Sequence, residues 1–166
     1  MKDIIYLGHT TMTHGLKGDL KFYSDFERKD ILLNNNTKVL IDNEIHTITK
    51  CSYNKNYMLI TIDNLKDINL VEEYRNKDIY IKREELGLKE DEFLFQDLID
   101  YKIVCNEEYL GKVKDIRYNN NVLLYIEFDK NYYLPFIDQY ILKVDLNEKK
   151  ILVKDVKDLI IWKLIF

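Results

Sequence analysis

From Ile4 to Ile62 the chain repeats one pattern, in which a run of four to eight β-favouring residues is followed by a cluster of turn-formers. The runs are Ile4 to Thr10, Asp19 to Ser24, Lys38 to Ile41, Ile45 to Ser52 and Tyr57 to Ile62. Asp42-Asn43 and Asn54-Lys55-Asn56 separate the later ones and suit tight hairpins. Short strands at this regular spacing predict a small β-barrel. Asp67 to Tyr74 departs from the pattern. Asp67 can cap a helix, and Ile68, Val71 and Tyr74 lie three apart on one face, which predicts one short helix. Asn76-Lys77-Asp78 then turns into a last strand, Ile79 to Lys82.

Arg83 to Glu92 holds five acidic residues and Gly87 with weak periodicity. A boundary is expected here, with a first domain over 1–84, a linker over 85–92 and a second domain over 93–166. Strands resume at Tyr101 to Cys105, Tyr109 to Tyr118, Val122 to Phe128 and Tyr132 to Leu134, with Asn119-Asn120-Asn121 as a hairpin turn. Ile141 to Leu146 and Lys150 to Lys154 read as a final pair around Asn147-Glu148. The expected fold is all-β, two small barrels with one or two short helices. Composition agrees: 21 Ile and 13 Tyr stand against no Ala, although Ile, Tyr and Asn are also enriched by A+T-rich coding.

The net charge of -4 argues against a protein that wraps nucleic acid non-specifically. That charge is unevenly spread. Met1 to Glu84 holds 13 basic and 13 acidic side chains, and Glu85 to Phe166 holds 12 and 16. A neutral first half can carry a local basic patch, whereas an acidic second half suits a basic protein. Cys51 and Cys105, far apart in apolar stretches, read as two reduced, buried thiols of a cytosolic protein. The N-terminus lacks the apolar core of a signal peptide. The apolar stretch from Leu159 to Phe166, broken by Lys163, is too short to span a bilayer and is expected to pack on the second barrel or to act as an interaction segment.

Catalytic signals are thin. His9, His14 and His46 have no metal-ligand spacing with each other or with the cysteines, and no nucleophile-elbow, Walker or Cys-x-x-Cys pattern is present. Neither a catalytic residue, a metal nor a cofactor is expected. Three segments stand out instead. In His14-Gly15-Leu16-Lys17-Gly18-Asp19, two glycines around a lysine let backbone amides approach a phosphate, or serve only to turn the chain. A KH loop joins helices, and the flanks here are strands. Phe93-Leu94-Phe95, before Gln96-Asp97, cannot all face one side of a strand, so at least one is expected to pack against a neighbouring domain or a partner, unless the segment is a buried edge of the core. In Leu134-Pro135-Phe136-Ile137-Asp138 the only proline marks a strand end.

In this order the three segments resemble the bacterial ribosome maturation factor RimM family, from about Leu7 to Val153. The matching residues are Gly8 and His14 to Asp19, Asp25-Phe26, Ile62-Asp63-Asn64, Glu72-Glu73 and Ile79 to Leu86. In the second half they are Asp97-Leu98-Ile99, Leu110-Gly111-Lys112-Val113, Asn120 to Leu123, Leu134 to Asp138 and Lys143-Val144-Asp145. This chain departs from the family at Phe93-Leu94-Phe95, where two tyrosines and another aromatic are usual, and at Asn76 and Asp100, where glycines are usual.

The resemblance implies a second domain of the PRC-barrel type and a non-enzymatic assembly factor for the head of the small (30S) ribosomal subunit. It implies that the second domain binds a basic head protein, S-nineteen, through Phe93, Leu94, Phe95, Asp97, Pro135, Phe136 and Asp138. The first domain would lie near the 3' domain of 16S rRNA, through His14, Gly15, Lys17, Gly18 and Lys21. A cytoplasmic monomer with no membrane partner is expected. The alternatives are a generic RNA-binding β-barrel of the translation-factor kind and an enzyme with an unrecognised site at His14 or Asp138.

Overall fold

The structure is a computed structural model that describes residues 3–34 and 36–161. Its contacts divide the chain into two units, Met1–Lys89 and Glu90–Phe166.

The first unit holds β1 (Ile4–His14), β2 (Asp19–Tyr23), β3 (Thr37–Ile41), β4 (Glu44–Tyr53), β5 (Met58–Ile62) and β6 (Asp78–Lys82). They close into a barrel in the order β1-β2-β5-β4-β3-β6, every pair antiparallel. Closure satisfies the ladder all round and leaves no free strand edge. Alternate positions on each strand point inward, and Leu20, Phe22, Ile48, Ile60, Ile62, Ile79 and Ile81 are each fully buried. Strand β1 runs four residues beyond the predicted Thr10, across a register shift between Thr10 and Thr13. Asp67 caps the short helix as expected, its carboxylate accepting from Asn69 N–H at 2.8 Å. The helix is split into α1 (Ile68–Val71) and a 3-10 turn, Glu72–Tyr74. A second 3-10 turn, Lys29–Leu33, was not expected from the sequence; it buries Ile31 and Leu32.

The segment after this helix is tied to the barrel by Thr10, a buried polar residue. Its hydroxyl donates to Tyr74 O at 2.5 Å and accepts from Lys77 N–H at 3.0 Å. The tie holds Asn76 at φ 53, in the left-handed region where the family glycine would be unstrained.

The second unit holds β7 (Lys102–Cys105), β8 (Glu108–Asn119), β9 (Asn121–Glu127), β10 (Tyr132–Pro135), β11 (Ile141–Asp145) and β12 (Lys150–Val153). They form one sheet in the order β10-β9-β8-β7-β12-β11, in which only β7 and β12 are parallel. Leu98, Ile103, Val113, Leu124, Ile126, Leu134 and Ile151 fill its core. Tyr132 is buried with them, and its hydroxyl donates to Leu110 O at 2.9 Å. Asp100 sits at φ 71, which explains the usual glycine there, and its carboxylate pairs with Lys112 at 3.1 Å. Leu159 and Ile160, on α2 (Lys157–Ile161), pack against the core; the rest of the expected apolar tail lies outside the described residues. Both cysteines are free; Cys105 is buried, but Cys51 is only half-buried, because it lies on β4 of the barrel wall.

Candidate functional sites on the two units

The first predicted site is the β1–β2 hairpin. Gly15 and Gly18 take φ 67 and φ 80, so both glycines turn the chain. Their surroundings differ. A Cβ on Gly15 would meet nothing within 4 Å, whereas one on Gly18 would lie 3.0 Å from Leu65 O and 3.2 Å from Asp67 N. Gly18 is therefore a buried packing position under the loop that starts α1, and its expected role as an RNA contact is corrected. Asp19 is likewise structural, accepting from the Thr61 hydroxyl at 2.7 Å. His14, Gly15 and Lys17 remain at the exposed tip, together with Leu16, which is 82% exposed. Lys21 is not at the tip. It lies on β2 opposite Leu59, with its ammonium 4.8 Å from the centre of the Tyr57 ring.

The second predicted site comes together from two distant segments. Phe93 and Phe95 flank Leu94, and Phe136 follows the edge strand β10. Phe93–Phe95, Phe93–Phe136 and Phe95–Phe136 are 6.3, 6.1 and 5.2 Å apart, all edge to face. Each ring offers its positive edge to a neighbour's negative face, the preferred aromatic geometry. All three are partly buried against the core and partly open. Leu94 is 3% exposed, so its expected role as a surface anchor is corrected: with three consecutive apolar residues, the middle one turns inward. Asp97 holds the segment in shape, accepting from Leu94 N–H at 2.9 Å at the start of the 3-10 turn Phe95–Leu98. Pro135 ends β10 opposite Leu123, and Phe136 N–H donates to Val122 O at 2.8 Å, which fixes the exit of the chain. Asp138 is exposed, and its backbone carbonyl accepts from Lys154 Nζ at 2.7 Å.

Catalytic geometry is sparse. His46 Nδ1 lies 2.7 Å from Asp63, but the other carboxylate oxygen accepts from Thr47 N–H at 2.7 Å, and the pair serves to close a turn. Burial raises the Cys51 thiol to about 11, which suppresses the nucleophilic thiolate at neutral pH. Among the described residues no group of three or more His, Cys, Asp or Glu could hold a metal, and no helix is long and apolar enough to cross a membrane. Tyr6, His9, Tyr23 and Tyr57, none of them a site residue expected from the sequence, share the outer face of the barrel. Alternation alone sets Tyr6 and His9, three residues apart on β1, on opposite faces; the register shift between Tyr6 and Gly8 brings them to one face, and nothing local in the sequence marks it.

A closed six-stranded barrel followed by a second β unit with an aromatic cluster at its sheet edge defines a two-domain, mainly β protein. Residues 5–86 match the RimM N-terminal domain, and residues 90–160 match the PRC-barrel domain. The ribosome maturation factor RimM of Campylobacter curvus is 34% identical over 160 residues, covering 88% of this chain and 90% of its own. That of Campylobacter concisus is 34% identical over 174 residues, covering 95% and 97%. A crystal structure of a putative 16S ribosomal RNA processing protein RimM from Pseudomonas aeruginosa is 19% identical with a TM-score of 0.46, covering 94% of this chain and 99% of its own. The chain belongs to the RimM family.

Proposed function

We propose that this chain is a non-enzymatic, monomeric and cytoplasmic assembly factor for the small-subunit head, which helps 16S rRNA mature. The second unit binds the basic head protein S-nineteen, and the first lies near the 3' domain of the rRNA. The observation that carries the reading is the cluster of Phe93, Phe95 and Phe136, three mutually packed rings left partly open on an acidic unit. Glu90–Phe166 carries 15 acidic against 11 basic side chains, and Asp91, Glu92, Asp97 and Asp138 adjoin the rings in sequence.

Aromatic anchors in a partly desolvated cluster supply most of an interface's energy, while flanking charge speeds encounter and selects the basic partner. Phenylalanines in place of the family tyrosines make this an apolar contact without hydroxyl donors. The hairpin tip with His14, Gly15 and Lys17, and Lys21 on the strand behind it, supports an RNA contact on the neutral unit.

The test is binding of the full chain to purified S-nineteen at two salt concentrations. Phe95→Ala is expected to weaken binding by about 30-fold, the effect of losing a hot spot of roughly 2 kcal/mol. Asp138→Asn is expected to slow association only at low salt. Equal affinity of wild type and Phe95→Ala would reject the site, and co-sedimentation with mature as well as immature subunits would reject the maturation role.

A further inference from the structure

The outer face of the barrel carries a line of rings that neither the hairpin tip nor the second unit's phenylalanines account for. Tyr80 pairs with Tyr6 across β6–β1 and His9 with Tyr23 across β1–β2, the register shift after Tyr6 sets both pairs on one face, and Tyr57 joins them from the bend just before β5. Tyr6 meets Tyr80 edge-on at 5.5 Å, and its hydroxyl is 3.4 Å from His9 Nδ1. His9 stacks on Tyr23 at 5.7 Å with 17° between planes, and Tyr23 meets Tyr57 at 6.0 Å. Tyr6 is 50% exposed and His9 is exposed, so the line presents aromatic rings to solvent.

Charge along the line is graded. Lys21 lies over Tyr57, whereas Lys29, 6.0 Å from the ring of Tyr53, is engaged by the Ser24 carbonyl at 3.2 Å. At the other end Asp78 faces His9 across the β1–β6 ladder, and Asp78 and Asp25 act on the Tyr6 hydroxyl. A duplex would bring phosphates over the whole line, carboxylates included. A single strand can lay neutral bases on the rings and keep its phosphates on the lysine side. Carboxylates at the far end then accept from the amino groups on base edges.

We propose that Tyr6, His9, Tyr23 and Tyr57 form a stacking platform for unpaired RNA bases, with Lys21 holding phosphates at the Tyr57 end. This rests on the RNA-facing role of the first unit and adds the state of the RNA and the residues that read it. Stacking tolerates any base, so the platform selects unpaired segments by conformation more than by sequence. Such a surface suits a factor that acts while part of its RNA is still unfolded.

The experiment is an anisotropy titration of the full chain with labelled oligoadenylate and with an RNA duplex of equal length, each variant first checked by its melting curve. Wild type is expected to prefer the single strand. Tyr23→Leu, which keeps apolar packing but removes the ring, is expected to weaken single-strand binding about 5- to 150-fold, equally at low and high salt. Lys21→Ala is expected to flatten the salt dependence by about 0.7 in slope. Unchanged affinity in Tyr23→Leu and His9→Ala, with loss in Lys17→Ala, would overturn the platform while keeping RNA at the hairpin tip. Failure of wild type to bind any RNA would overturn both. Retained RNA affinity with lost binding of an arginine-rich peptide in the two ring variants would make the face a protein site and overturn the platform.

Discussion

The two units use the same secondary structure to different ends. The first closes its six strands into a ring and carries no net charge over Met1–Lys89. The second leaves β10 and β11 as sheet edges, carries the whole excess of negative charge, and gathers three phenylalanines just beyond one of those edges. A closed ladder leaves only outward side chains and loop tips to contact a partner. An edge strand hands the chain to a loop that can collect rings from distant segments.

This contrast predicts different weak points. In the first unit, a Cβ on Gly8 would lie 2.2 Å from Tyr23 O and 2.6 Å from the Phe22 ring. Gly8→Ala is expected to cost about 3 kcal/mol or more, and hydrogen exchange should show β1 and β2 deprotected while the second unit stays protected. Gly15→Ala, with open space around it and only the positive φ at stake, is expected to cost about 1 kcal/mol. Similar losses from both would mean that crowding is not what the barrel's glycines relieve.

In the second unit, Tyr132→Phe removes the buried hydrogen bond to Leu110 O and is expected to cost about 1–2 kcal/mol in denaturant melts. Desolvation already pushes the Tyr132 hydroxyl well above the usual phenol value, so the bond should persist through alkaline titration. Smaller effects come from the two left-handed residues. Asn76→Gly is expected to stabilise by a few tenths of a kcal/mol. Asp100→Gly should be nearly neutral, because relief of its φ is offset by the lost ion pair to Lys112.

The smallest expected effect is one of pH. Backbone N–H groups of Glu148 and Asn147, with Lys143 and Lys150 nearby, hold the Asp145 carboxyl below its usual value. A lowered folded-state value means that its stabilisation is present above the unfolded carboxylate range and lost as pH falls through the folded value. Melting curves of Asp145→Asn and wild type should therefore converge in acid and separate slightly near neutrality.

What was legible in the sequence was local. Period-two runs and Asn or Asp turns gave the barrel strands, and Asp67 marked its helix because a cap acts within three residues. Partners distant in the chain were not legible. Nothing near Gly18 shows that Leu65 and Asp67 cover it, and nothing in Phe93-Leu94-Phe95 alone shows that Leu94 turns inward while Phe136 joins its neighbours. The parallel pairing of β7 with β12 links residues almost fifty positions apart and leaves no local trace. At Asp100 the φ of 71 accounts for the glycine usual there, a backbone requirement that the residue's identity does not reveal.

The division of labour between the units is tested most directly by measuring two affinities, for purified S-nineteen and for single-stranded RNA, in wild type, Phe95→Ala and Tyr23→Leu. The account predicts a crossed result, in which Phe95→Ala loses the protein by about 30-fold and keeps the RNA, and Tyr23→Leu does the reverse. Loss of both ligands in either folded variant, or loss of neither, would contradict it.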